Sequence, residues 1–294
     1  MFCSFDIVYV SSSLLSGAMP HICIDGHVHL HPCFLMEDVL HFGLHNIQTV
    51  EQAMQVSQVA RFLLLTESAG ENAFADLAAQ ATGQKPPPAS FHIETTRENN
   101  TLYCTEATGV GIYVVGGRQI VTRERLEVLA LGHAASFPDG APISEVLSQL
   151  AQQSCITVLP WGAGKWLGRR GQVVRQLVEA GTATPFFLGD NGNRPFFWPL
   201  PKLFAAARLR GIRNLPGSDP LPFPGQEKKV GSFGAQFEGV IDPLRPFSSL
   251  CALLQNPKTT LTSFGQPERL FPFVKHQIAM QFRKKKSSSG PVVP

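Results

Sequence analysis

Apolar positions along this chain recur first at a spacing of two, then of three and four, and the alternation repeats. Ile22-Cys23-Ile24 opens an apolar run that predicts a first strand continuing through Asp25-Gly26-His27-Val28-His29-Leu30-His31. Residues 37–58 then place Val39, Leu40, Leu44, Ile47, Val50 and Met54 at helical spacing, with Gly43 as a weak point in the helix. A buried strand over 61–66 and a helix over 71–81 follow, the rhythm of a parallel sheet, until Lys85-Pro86-Pro87-Pro88 breaks it. Five short β-rich segments come next, at 91–95, 101–105, 110–115, 119–122 and 126–131. Their brief connections predict antiparallel pairing, and Gly116-Gly117 fits a hairpin turn. From Pro142 the alternation resumes, with helices at 143–153, 171–179 and 201–209 and strands at 155–160, 185–188 and 211–215. Two further helices, at 247–255 and 267–282, complete the pattern.

Element order alone leaves an open doubly wound sheet and a closed barrel both available. A chain of 294 residues, 44% of them hydrophobic, is long enough for one large α/β domain. The folded unit is expected over 19–282. Residues 1–18 read as an unstructured extension, since Asp6 interrupts their apolar stretch and no basic n-region precedes it. Residues 283–294, opening on Arg283-Lys284-Lys285-Lys286 and ending in Ser, Gly and Pro, read as a solvated basic tail. Much of the formal charge of +3 sits in that run, so no basic nucleic-acid face is expected on the body and no nucleic-acid partner. Six scattered cysteines without a CxxC pair point to a reducing, cytoplasmic setting. No apolar run approaches the ~18 residues of a membrane span, so a soluble chain without a membrane partner is expected.

The candidate chemistry lies at strand ends, where loops converge over a parallel sheet. A period of two sends His27, His29 and His31 to one side of the first strand, and neutral imidazole is a common ligand of divalent metals. Histidines bonded to backbone and water are the plainer reading. Further polar strand ends carry Glu67, Lys165, Asp190 with Arg194, and Asp219. Asp190 and Asp219 are read either as turn residues or as carboxylates facing the imidazoles. Two imidazoles and one or two carboxylates suit an open metal site that acidifies a water, and Arg194 or Lys165 would hold a small anionic substrate. Lys165 belongs to no complete phosphate loop, because the GxxxxGK[ST] spacing is absent.

On these residues the chain resembles the PHP (polymerase and histidinol phosphatase) superfamily, metal-dependent phosphoesterases related to the amidohydrolases. Asp25-Gly26-His27-Val28-His29 resembles the opening D-x-H-x-H motif, Leu65-Thr66-Glu67-Ser68 stands at the T-D-H position, and Pro216-Gly217-Ser218-Asp219 resembles the terminal G-S-D. The resemblance implies an α/β fold built as a distorted (β/α)7-type TIM-like barrel, with the antiparallel β region as an insertion. It implies a divalent metal (Zn, Mn or Fe) on His27, His29 and Asp219, with Glu67 as a substitute ligand at the T-D-H position, while the strand-end reading supplies Asp190 and Lys165 as catalytic and Arg194 and Lys165 as substrate-binding candidates. The chain departs from the pattern at Glu67, Ser68, Gln119, Trp161 and Pro220, which leaves ligands for one or two metals in place of three. The expected function is a metal-dependent hydrolase, most simply a phosphoesterase. An amidohydrolase acting on C–N bonds and a non-catalytic binding protein on the same scaffold are the alternatives.

Overall fold

The computed structural model describes residues 19–133, 137–181 and 185–288. The expected N-terminal extension and the last six residues of the basic tail lie outside them. The elements in chain order are β1 (His21–Val28), α1 (Met36–Met54), β2 (Val59–Leu65), α2 (Ala73–Ala81), β3 (Phe91–Thr95), β4 (Thr101–Glu106), β5 (Gly111–Val115), β6 (Gly117–Val121) and β7 (Glu127–Leu131). Then come α3 (Ile143–Leu150), β8 (Ile156–Pro160), α4 (Gly168–Ala180), β9 (Phe187–Gly189), α5 (Lys202–Arg208), β10 (Gly234–Glu238), α6 (Pro246–Gln255), β11 (Thr262–Phe264) and α7 (Leu270–Ser288).

The strands form two sheets, ordered β11-β10-β1-β2-β5-β4-β3 and β6-β7-β8-β9, and the expected barrel is not formed. Three local causes are visible. The hairpin strands β3 and β4 add antiparallel to β5 and extend the first sheet outward. The Gly116-Gly117 pair is a corner between sheets rather than a hairpin turn, and a Cβ on Gly117 would lie 2.5 Å from the Leu65 carbonyl oxygen. Finally, the segment predicted as a strand over 211–215 makes only single bridges, Leu188 to Asn214 and, just beyond, Asn191 to Gly217. The α/β character and the antiparallel middle region both hold.

Side-chain alternation sorts the core into layers. Ile22, Ile24, Phe62, Leu64, Val115, Leu129 and Val158 pack together between the two sheets. Their neighbours Cys23, Leu63 and Leu65 face α1 and α2 instead. A third cluster seats Val146, Val174, Val178, Phe204 and Ala207, from α3, α4 and α5, against the second sheet. On α1, Val39, Leu40, Leu44 and Ile47 are fully buried, each contributing about 1.5–3 kcal/mol.

Gly43 is a close-approach residue, not a weak point. A Cβ there would lie 2.8 Å from Leu63 Cδ1 and 3.3 Å from Val230 Cγ1. Helix propensity alone favours alanine by about 1 kcal/mol. We nevertheless expect Gly43→Ala to lower stability by about 1–3 kcal/mol, because fully buried Leu63 has nowhere to move. A urea midpoint equal to or above wild type contradicts this.

Candidate metal centre

The centre begins with a parity change in β1. Ile22 and Ile24 face the space between the sheets, so an unbroken pleat would send residues 26 and 28 there next. The pairing with β2 shifts register between Asp25 and Val28, and Val28 joins the helix-side core instead. This bulge turns the odd-numbered His27 and His29 toward the mouth of the inter-sheet core. Gly26 permits it: its N–H donates to the Pro216 carbonyl (3.0 Å), which a Cβ there would approach to 2.7 Å.

Asp25 ties this bulge to the loop around 218. Fully buried, its carboxylate accepts the N–H groups of Ser218 (2.8 Å), Gly231 (2.8 Å) and His27 (3.2 Å). Burial pushes its pKa up to about 6, although the bonds from Ser218, Gly231 and His27 pull the other way. The Asp219 N–H donates to the His27 carbonyl (2.9 Å), and Asp219 takes φ 49°, the left-handed region that Asp tolerates better than most residues.

The result is a compact donor set. His27 Nε2 and His29 Nε2 lie 3.1 Å apart, and Asp219 Oδ1 is 3.6 and 3.7 Å from them. Among the described residues these three form the one group of His, Cys, Asp or Glu side chains placed to share a metal ion. The edge of a tetrahedron with metal–ligand bonds of ~2.1 Å is ~3.4 Å, so the spacing fits a divalent cation. Both imidazoles are buried, which lowers their pKa values and keeps them neutral, as metal ligation requires. Burial opposes ionisation of Asp219, but its interactions with the facing His27, with Lys165 and with His29 outweigh it and hold the carboxyl below its usual range.

Asn191 and Asn193, which the sequence reading left without a role, fix the carboxylate. Asn191 Nδ2 donates to Asp219 Oδ2 (2.9 Å) and to the Trp161 carbonyl (2.8 Å), leaving Oδ1 to face the imidazoles. Asn193 Nδ2 donates to the Asp219 backbone carbonyl. Lys165 is paired with Glu127 on β7. Burial works against its charge, but Glu127 and Asp219 more than compensate and raise its pKa, so the ammonium persists near the donor set.

The other anticipated residues stand apart. Glu67 accepts the Phe74 N–H at the start of α2 (2.7 Å) and pairs with Arg118 (3.3 Å). Asp190 and Arg194 engage each other through two bonds of 2.9 Å, and Arg194 also holds the Trp198 carbonyl. His31 stacks on His29 with ring centroids 5.2 Å apart, and its Nε2 meets the Pro220 carbonyl at 3.0 Å.

The buried imidazoles give stability a definite pH dependence. Burial first, and the neighbouring His27 second, push the His29 pKa from 6.5 down to about 3. Between those values the unfolded chain binds protons that the folded chain refuses, so this contribution is complete above about pH 6.5 and is lost as pH falls toward 3. With chelator present, the unfolding midpoint is expected to drop from pH 7 to pH 5, and His29→Gln to flatten that slope. Parallel slopes contradict the assignment.

No family model matches the chain, and no curated protein does. Among solved structures it is similar to PsfC from Pseudomonas syringae PB-5123, with a TM-score of 0.50 and 14% identity over 90% of this chain and 99% of that one. It is also similar to Endonuclease Q, solved in complex with a 27-mer duplex carrying an abasic lesion at the active site (TM-score 0.48, 11% identity). A third likeness is to the lesion-specific endonuclease PfuEndoQ from Pyrococcus furiosus (TM-score 0.44, 12% identity). The similarity covers 80% of this chain in both cases, and the chain spans 56% of each endonuclease chain. At such identities the likeness concerns the fold. The expectation of a small anionic substrate with nucleic acid excluded finds no support among these neighbours: Endonuclease Q is solved on duplex DNA, a substrate stated of that protein alone.

Proposed function

We propose that this chain is a metal-dependent hydrolase of phosphoester bonds, of the PHP type that its D-x-H-x-H and G-S-D segments resemble. The observation that carries the reading is the meeting of His27 Nε2, His29 Nε2 and Asp219 Oδ1 at the mouth of the inter-sheet core. A divalent cation bound there supplies Lewis acidity toward a phosphoryl oxygen and acidifies a water. The remaining chemistry belongs to the chain. His27 and His29, neutral through burial, offer nitrogen lone pairs, and Asp219 offers Oδ1 because Asn191 occupies Oδ2. Lys165, kept charged by Glu127, places a cation where a phosphate oxygen gathers negative charge. The Asp190–Arg194 pair serves as a brace for the loop after β9.

A second reading, a ligand-binding protein on the same frame, is favoured by there being one three-donor group among the described residues, since the family pattern supplies more ligands. Elemental analysis of protein purified without added metal separates the two. The hydrolase reading expects a divalent metal in stoichiometric amount, together with phosphomonoester or phosphodiester turnover that chelation abolishes and metal restores. Metal-free protein that stays inactive after Zn, Mn and Fe are supplied overturns it.

A further inference from the structure

The net charge of +3 conceals a strong segregation. Residues 191–218 and 269–294 contain eleven of the 25 Lys and Arg residues and none of the 22 Asp and Glu residues. The remainder of the chain, with 14 basic against 22 acidic groups, is negative. Among the described residues these two acid-free segments also carry the exposed large aromatic side chains. Phe196, Phe197 and Trp198 stand consecutively at 65%, 50% and 37% exposure, and Phe271 on α7 is 85% exposed.

Single exposed apolar residues are ordinary, whereas three in succession on a fixed backbone are not. This backbone is fixed: the Phe196 N–H donates to the Glu268 carbonyl (2.9 Å), the Trp198 N–H to the Pro195 carbonyl (2.9 Å), and Arg194 to the Trp198 carbonyl (2.6 Å). The Phe197 ring meets Phe273 of α7 edge-on, joining the two segments into one surface. Lys202, Arg269 and Lys275 are exposed within the same segments, and α7 continues into the run Arg283-Lys284-Lys285-Lys286.

The surface is tied to the metal centre through buried Trp161. Trp198 packs edge-on against Trp161 at 5.8 Å, and the Trp161 carbonyl shares Asn191 Nδ2 with Asp219. Exposed flat rings and cations carried on the same segments, and tied to the candidate phosphoester site, match a polyanion that carries flat bases. A basic helix with exposed apolar residues also suits an anionic membrane surface, but a membrane gives no reason for the link to Asp219.

We propose that this surface binds single-stranded nucleic acid, with bases stacked on Phe196, Phe197 and Trp198 and phosphates met by Lys202, Arg269 and Lys275, so that a phosphodiester is presented to the metal centre. The presentation step rests on the phosphoester reading above; the binding step does not.

The test is anisotropy of a fluorescein-labelled oligothymidylate of about 20 nucleotides, titrated with the full chain in chelator at about 50 mM and about 200 mM salt. Binding is expected without metal. The combined Phe196→Ala, Phe197→Ala and Trp198→Ala variant should weaken it about tenfold or more while keeping the salt slope. The combined Lys202→Gln, Arg269→Gln and Lys275→Gln variant should flatten the log–log salt slope by about 2–3. Phe196→Ala alone, at the most exposed of the three loop rings, should weaken binding several-fold with an unchanged circular dichroism spectrum. No binding, equal binding by the aromatic variant, or capture by phosphatidylserine vesicles that the oligonucleotide cannot displace would each overturn the proposal. Because chelator is present throughout, loss of the hydrolase reading leaves this result standing, and the reverse also holds.

Discussion

Asp25→Ala is expected to lose at least about 3–5 kcal/mol of stability, a large share of the ~5–15 kcal/mol that holds an ordinary domain together. The carboxylate accepts three N–H groups, from Ser218, Gly231 and His27, at a point with no exposure to solvent. Alanine leaves all three donors buried without an acceptor, at about 1–3 kcal/mol for each. Asn is the informative companion. Its Oδ1 can still accept from Ser218 and His27, but its amide turns a donor toward the Gly231 N–H, so partial recovery is expected. Urea unfolding followed by tryptophan fluorescence gives both values. A loss under about 1 kcal/mol for the alanine variant would show that Asp25 does not join β1 to the loop at 218.

His27→Ala and Asp219→Ala should each lower metal affinity by more than ~100-fold and remove metal-dependent phosphoester turnover, because one of three ligands is gone. Altering groups that merely support a ligand already costs about 10–100-fold. Neither side chain is packed as an apolar core element, so circular dichroism and the cooperativity of unfolding should survive. Asn191→Ala is the graded comparison. It frees Asp219 Oδ2 and strips a donor from the Trp161 carbonyl, so weaker binding with metal still detectable is expected. Metal content by elemental analysis and affinity by competition with a chromophoric chelator are the readouts. Retention of full stoichiometry and affinity in both ligand variants would remove the metal centre from these residues.

Much of the layer order was legible in the sequence. The apolar runs at Ile22–Ile24 and in 61–66, buried on both faces, and the helical spacing in 37–58, buried on one, mark elements that the structure keeps. The barrel was not legible, because closure depends on which edges meet. Here β5 pairs with β4 and β2, and Gly117 turns the chain into a second sheet. His27, His29 and Asp219 were found together, since the spacing of two survived the bulge that reoriented it. Glu67, Asp190 and Arg194 sit at the strand ends that marked them, yet each is engaged by a neighbour that only three dimensions reveal. Asp25, Asn191 and Asn193 bear signals that turn chemistry mimics, and their partners lie far along the chain. The small net charge masked the segregated basic segments, whose absence of acidic residues was visible in the sequence all along.

The ties that assemble the centre have a kinetic corollary. Asp25 reaches Ser218 across 193 positions and Gly231 across 206, and β1 finds its antiparallel partner only at β10. Contacts of such sequence separation form late and slow the search for the native state. During synthesis the histidines leave the ribosome long before their carboxylate does, so the three donors cannot meet until Asp219 has emerged, in keeping with vectorial production.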